Sequence, residues 1–256
     1  MPLYGGRCIH QFDAAFQPVE KCVAENEIRE MLLRKQIFRL AKIVREKAPL
    51  KLEGKPVPES RDELNGRLRE GFGENKFKLD YEMPRLAYRE IAASTNERTL
   101  IAALIPERST MNHKLMYLQP TCYDLSDAGK LRQEAVPETE VHAILAILNS
   151  LVANYYIRSR VSSTVSVFYV NELPLPKLPA AHKRKLADSA AKLSENPRDI
   201  KERATLEVFI ARELYGLSLD DWKHLTSTFT FGSGTTKEEL DEIIRQSLTF
   251  WPGGPG

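Results

Sequence analysis

The stretch Arg85–Pro106 (RLAYREIAASTNERTLIAALIP) constrains this chain more than any other. A small polar cluster, Ser94-Thr95-Asn96-Glu97-Arg98, divides it into two runs. The first run, Leu86 to Ile91, interleaves Leu86, Tyr88 and Ile91 with Arg89 and Glu90, behind Arg85. The second, Thr99 to Ile105, is almost wholly apolar, the pattern of a strand covered on both faces. Together they predict two strands joined by a polar turn. Hydroxyls, an amide and a guanidinium in that turn can bond phosphate oxygens or base edges. The plainer reading is an ordinary hairpin with a solvated tip, in which Arg98 pairs with Glu97 or Glu90.

Around this centre the chain reads as α+β. Met1 to Val19 is extended, with a turn at Gly5-Gly6 and with His10 and Gln11 beside Ile9 and Phe12. Glu25 to Lys47 has a broad apolar stripe at helical spacing (Ile28, Leu32, Leu33, Ile37, Leu40, Ala41, Val44). Its C-terminal half is basic, with Arg34, Lys35, Arg39, Lys42, Arg45 and Lys47, followed by Lys51, against Glu46. Such a face either tracks phosphates or is simply solvated. Lys51 to Lys78 is polar and Gly/Pro-punctuated, with a short helix near Arg61 to Glu70. Glu53-Gly54-Lys55 within it is half of a nuclease-like motif without an acidic partner, and reads as loop.

Asn112 and His113 form a polar turn before a short strand, Leu115 to Leu118, and Gly129 to Val136 reads as loop. Pro137 to about Ile157 is predicted as one helix, acidic at its start and ending near Arg158 and Arg160. Ser162, Ser163 and Thr164 follow, and Val165 to Val170 reads as a strand from its β-branched and aromatic content. The stiff segment Leu173–Pro179 marks a domain boundary, giving residues 1–179 and 180–256. The second part is helical: Ala180 to Ser194, Ile200 to Tyr215 stopped by Gly216, Ser218 to Leu225, and a last helix to about Leu248 opened by a capping box at Thr236–Glu239.

Four stretches carry a family resemblance. Arg85–Pro106 resembles the signature of the target-recognition domain of type IIG restriction–modification enzymes and related adenine-N6 DNA methyltransferases. Leu3–Asp13 (LYGGRCIHQFD), Asn149 to Pro176 and Arg203 to Phe229 are similar to further pieces of that family, in the same order. Roughly Pro18 to Met83 does not follow the family pattern. The resemblance implies a mixed, twisted sheet with packed helices as the recognition domain, followed by a helical appendage. It implies double-stranded DNA as partner, together with the catalytic methyltransferase/endonuclease domain of a parent enzyme. The DNA-facing residues expected on it are Arg85, Arg89, Ser94, Thr95, Asn96, Arg98, Asn112, His113, Arg158, Arg160, Ser162, Ser163 and Thr164, with one positive cleft lined by Arg89, Arg98 and Arg160.

Catalytic chemistry is not expected from this chain alone. The adenine-holding Asn-Pro-Pro-Tyr type of loop is missing, since Asn196-Pro197 is followed by Arg198. Gly232-Ser-Gly234 lacks the Lys-Ser/Thr of a phosphate loop, and no Cys/His set has zinc spacing, so neither cofactor nor metal is expected. A net charge of +2 over 256 residues neither favours nor excludes nucleic acid. Three scattered cysteines and the lack of a membrane-length apolar run point to a reducing cytoplasm and to no membrane partner. The competing function is a protein-interaction or scaffold module that docks a partner subunit through its C-terminal helices.

Overall fold

The computed structural model describes residues 1–253 apart from 48, 50 and 127. The central prediction holds. β4 (Arg85–Arg89) and β5 (Ala102–Ile105) pair antiparallel, with Arg85 opposite Ile105 and Tyr88 opposite Ala102. β7 (Leu115–Tyr117) pairs with the other edge of β4, so the strand order is β5-β4-β7. Period-2 alternation sends Leu86 and Tyr88 to one face, where α3 (Glu138–Leu148), α4 (Leu151–Arg158), α6 (Ala180–Glu195) and α7 (Ile200–Phe209) supply the main core. Ala87 faces the opposite side with Tyr4, Ile9, Ala103, Ile105 and Leu115.

Small sheets and helices surround this centre. β1 (Leu3–Tyr4) runs parallel to β6 (Thr110–Met111). β2 (Lys51–Leu52) and β3 (Lys55–Pro56) form a tight hairpin, and α1 (Glu25–Lys47) packs with α2 (Arg61–Gly73) over a separate apolar cluster. β8 (Thr121–Leu125) and β9 (Leu131–Ala135) make an antiparallel ladder that closes this cluster through Leu125 and Leu131. Gly129 to Val136 is therefore largely strand, not loop.

Three more expectations are corrected. Val165 to Val170 is not a strand: Ser166 caps α5 (Val167–Asn171), its hydroxyl accepting from the Phe168 amide. The cap prevails over β-propensity because only Val165 and Val170 in this run are buried, so no sheet face is there to reward the extended form. The predicted helix from Pro137 is two helices, α3 and α4, bent by 59° at Asn149-Ser150. Finally, α9 (Thr235–Phe250) starts after Gly234, so Thr236 lies inside the helix and caps nothing. α8 (Leu219–Ser227) does carry a capping box, between Ser218 and Asp221.

The helical appendage beyond Pro179 packs into the same core as the sheet. Leu186, Ala190, Leu193, Leu206, Phe209 and Ile210 share the core with Leu86, Leu145 and Ile157. α7 continues into a π-turn (Ile210–Leu214), and Gly216 takes φ +65° to end it. α8 and α9 close a smaller cluster around Trp222, whose indole donates to Ser247. Among the described residues no single helix is long and apolar enough to cross a membrane.

Candidate nucleic-acid interface

The edge of β5 explains how the central loop is held. An edge strand leaves one row of amides and carbonyls without sheet partners. Asn149, at the bend between α3 and α4, supplies them: its Oδ1 accepts from Ala102 N and its Nδ2 donates to Ala102 O, both at 2.9 Å. One turn on, Asn154 Oδ1 accepts from Thr99 N and Leu100 N at 3.0 and 2.9 Å, and its Nδ2 donates to Leu100 O. Two side-chain amides thus act as the missing neighbouring strand. Both are buried, so these bonds have no competing water.

Arg98 belongs to this buried seam. It is 2% exposed, donates to Asn149 O at 3.3 Å and lies 3.7 Å from the Glu207 carboxylate. Glu207 also accepts from the Leu151 amide at 2.9 Å, the first residue of α4. Gln11 donates to Asn149 O at 2.8 Å and accepts from Arg203. Burial, joined by the charge of Arg98, pushes Arg203 down to about 9, still cationic at neutral pH. Burial likewise lowers Arg98, with Glu207 opposing the shift. Gln11, Arg98, Asn149, Arg203 and Glu207 come from four stretches far apart in sequence. Those stretches meet in the interior.

Other expected contacts are also structural. Arg89 donates to Ile9 O, and burial lowers its pKa. Arg85 is buried and donates to Ser109 O and Oγ at 2.6 and 2.9 Å. The positive cleft of Arg89, Arg98 and Arg160 therefore does not exist: two of the three guanidiniums are consumed inside the fold. Asn112 accepts from the Lys114 amide in its own turn, and His113 is exposed beside it.

The remaining residues do come together. Ala92 N and Ser94 N donate to Ser163 O and Ser162 O, each at 3.2 Å, and Val165 N donates to Glu90 O at 2.7 Å. Ile91 and Thr164 form a bridge in the same ladder. The central loop and the segment after α4 are thus stitched through backbone, leaving the side chains of Thr95, Asn96, Ser162, Ser163 and Thr164 exposed, with Ser94 half-buried. Arg158 clamps the loop from beneath, donating to Asn96 O and Glu97 O at 2.7 Å while its guanidinium stacks on Phe229. Burial lowers its pKa, with Arg98 adding to the shift. Close approach fixes Gly232 here: a Cβ would fall 2.7 Å from Glu97 Cβ. Arg160 is exposed and lies over Tyr156, 3.5 Å from the ring centroid, so its cation is held at the surface by a stack rather than by a carboxylate.

Next to this polar strip the surface turns apolar, with Ile91, Val167 and Phe168 all exposed. The whole is a strip of hydroxyls and one amide, one fixed cation and an apolar margin. Among the described residues no group of three or more His, Cys, Asp or Glu side chains could hold a metal ion. Comparison of the chain with protein-family models, curated proteins and solved structures returns no match.

Proposed function

We propose that this chain is a duplex-DNA recognition module of a restriction–modification or adenine-N6 methylating system, acting with a catalytic methyltransferase/endonuclease domain. The observation that carries the reading is the stitched strip. Its two segments, far apart in sequence, are joined through backbone alone, which frees Thr95, Asn96, Ser162, Ser163 and Thr164 to face outward together with Arg160. Hydroxyls and a stacked arginine are the donors that position a phosphate backbone, and an outward amide suits adenine in the major groove. Arg85, Arg89 and Arg98 serve the fold in this reading, and Arg158 positions the loop.

The test is salt-dependent binding of mixed-sequence and enriched duplexes, followed by fluorescence anisotropy. Arg160→Ala should weaken all duplexes alike and reduce the salt slope by about 1. Asn96→Ala should instead relax one base position at a cost of about 1–3 kcal/mol. No binding at low salt, or binding indifferent to both changes, defeats the proposal. The exposed trio Ile91, Val167 and Phe168 favours a second reading, docking of a catalytic partner, because apolar side chains beside a polar rim are how protein interfaces are built. Co-purification with a partner subunit that Phe168→Asp abolishes, in a chain that binds no duplex at low salt, would favour this second reading; an unchanged salt slope on DNA in Phe168→Asp would favour the first.

A further inference from the structure

A second polar feature lies away from the strip, on the α1 side of the central sheet. A cavity of about 260 Å³ opens between α1, the turn at Asp80–Glu82, β4, β6 and β7. Lys35 and Met31 are exposed and form its rim; Arg85, Asp80 and Leu115 are buried and lie deeper in its wall, with Arg39 and Tyr117 between. Three polar atoms in this wall are buried without any hydrogen-bond partner: Arg39 Nε, Asp80 Oδ1 and Arg85 Nε.

The charges do not balance. Asp80 is the one carboxylate in the wall, and its Oδ2 is already taken by Arg39 Nη2 at 2.7 Å and by the Tyr117 hydroxyl at 3.0 Å. Among the described residues Arg85 and Lys35 have no ion-pair partner. Arg85 is only 4% exposed, so water screens it poorly, and burial lowers its pKa. A buried guanidinium without a counter-charge is costly unless something supplies the anion. Arg85 keeps its Nη2 on Ser109 O and Oγ and lies over the Tyr117 ring, but among the described residues no carboxylate is within ion-pair distance of it, Lys35 is solvated at the rim, and Arg39 Nε and Arg85 Nε are unused donors. Asp80 Oδ1 is an unused acceptor and calls for a donor on the same guest.

We propose that this cavity binds a small phosphate-bearing molecule, its oxyanion among Lys35, Arg39 and Arg85 and a neighbouring O–H or N–H donating to Asp80 Oδ1. A phosphate monoester carries the charge that the wall lacks, and guanidinium forks suit its oxygens. At about 260 Å³ the cavity falls just below the range of drug-sized ligand sites, which starts at about 300 Å³, so the guest is small. Arg85, the deepest of the three cations, is buried behind the rim, which favours a free small molecule over a phosphate held within a duplex.

The test is isothermal titration calorimetry on the full chain at fixed ionic strength, with inorganic phosphate and 5′-AMP as probes. Two further arms are a 5′-phosphorylated duplex and its unphosphorylated twin. Saturable one-site binding of phosphate or AMP is expected, with AMP tighter if the donor to Asp80 lies on the ester. Arg39→Gln should weaken it about tenfold, the loss of one charge-assisted hydrogen bond. Lys35→Ala should weaken it about threefold with unchanged thermal unfolding, because Lys35 is exposed, and so it tests the site even where Arg39→Gln fails to fold. The proposal is overturned if neither probe binds saturably and water alone fills the cavity, if Lys35→Ala and Arg39→Gln leave binding intact, or if only the phosphorylated duplex binds.

Discussion

Asn96 and Arg98 sit two residues apart in the same loop, yet they belong to opposite regions of the molecule. Asn96 is exposed at the tip of the stitched strip; Arg98 is buried against Asn149 and Glu207. The one cationic residue of the loop is the one least able to meet a ligand. A guanidinium with a long stem can turn back under its own loop, and here the interior offers it a carboxylate and a carbonyl. The short side chains, Thr95 and Asn96, cannot reach those groups and stay outside. The buried seam fixes the shape of the loop, and the strip presents what is left over.

Breaking the seam should have the largest effect. Arg98→Ala leaves Glu207 buried between helices without its nearest cation, which should cost about 3–5 kcal/mol. Chemical denaturation should show that loss, or no folded protein at all. Arg98→Ala/Glu207→Leu removes both charges and should recover part of it, although Leu151 N then loses its acceptor. If Arg98→Ala unfolds like the parent, the seam is not what holds the loop.

Much of this architecture was legible in advance, for reasons particular to each element. The expected strand Thr99 to Ile105 is a strand only from Ala102, where helices and the N-terminal segment cover both its faces; Thr99 and Leu100 bond the Asn154 side chain instead. α1 follows from an apolar stripe that faces one core. The β8–β9 ladder escaped because only Thr121, Leu125 and Leu131 of its ten residues are buried, too few to make a period. The α3–α4 bend escaped because Asn149 and Asn154 look like ordinary helix-surface amides, while their partners are backbone groups of Thr99, Leu100 and Ala102 far upstream. Within the strip, residue types indicated exposure for Ser162 to Thr164. They could not reveal that Arg85, Arg89 and Arg98 turn inward, since that depends on Ser109, Ile9 and Glu207 being brought beside them by the fold.

Two changes sharpen the boundary between seam and strip. Arg158 belongs to both: it is half-buried, yet its two 2.7 Å bonds go to the carbonyls of the exposed tip. Arg158→Ala should cost about 1–2 kcal/mol, less than Arg98→Ala because water can replace part of what is lost. Hydrogen exchange should then rise in residues 94–97 while β4 and β5 stay protected. Uniform loss of protection would mean the tip is not separately held.

His10 reads the same boundary through pH. It stacks on Phe16, and burial lowers its pKa; Glu97 opposes this, but at 3.8 Å it does not prevail, and Arg203, Arg89 and Arg98 add to the lowering. A histidine lowered in the folded state binds its proton more readily when unfolded. Its contribution to stability is full above about pH 6.5 and is lost as pH falls through the lower folded value, by at most about 1.4 kcal/mol per pH unit. His10→Gln should flatten that part of the stability–pH curve. An unchanged slope would place the titration elsewhere.

The smallest effect is the most informative about the strip. Ser162, Ser163 and Thr164 contribute backbone carbonyls, a bridge and no buried side chain to the ladder with Ile91–Ser94. Replacing all three with Ala removes the hydroxyls and leaves every one of those backbone bonds available. Stability should move by less than about 0.5 kcal/mol for each change, the range of surface substitutions that break no packing or cap. Duplex affinity, in contrast, should fall, because the hydroxyls are what the strip presents. If the triple variant folds as the parent does and binds duplex equally well, the ladder is scaffolding on both sides. The apolar margin at Val167 and Phe168 would then be the ligand surface. If it binds less and folds the same, the division of labour holds: backbone sets the shape and short side chains make the contact.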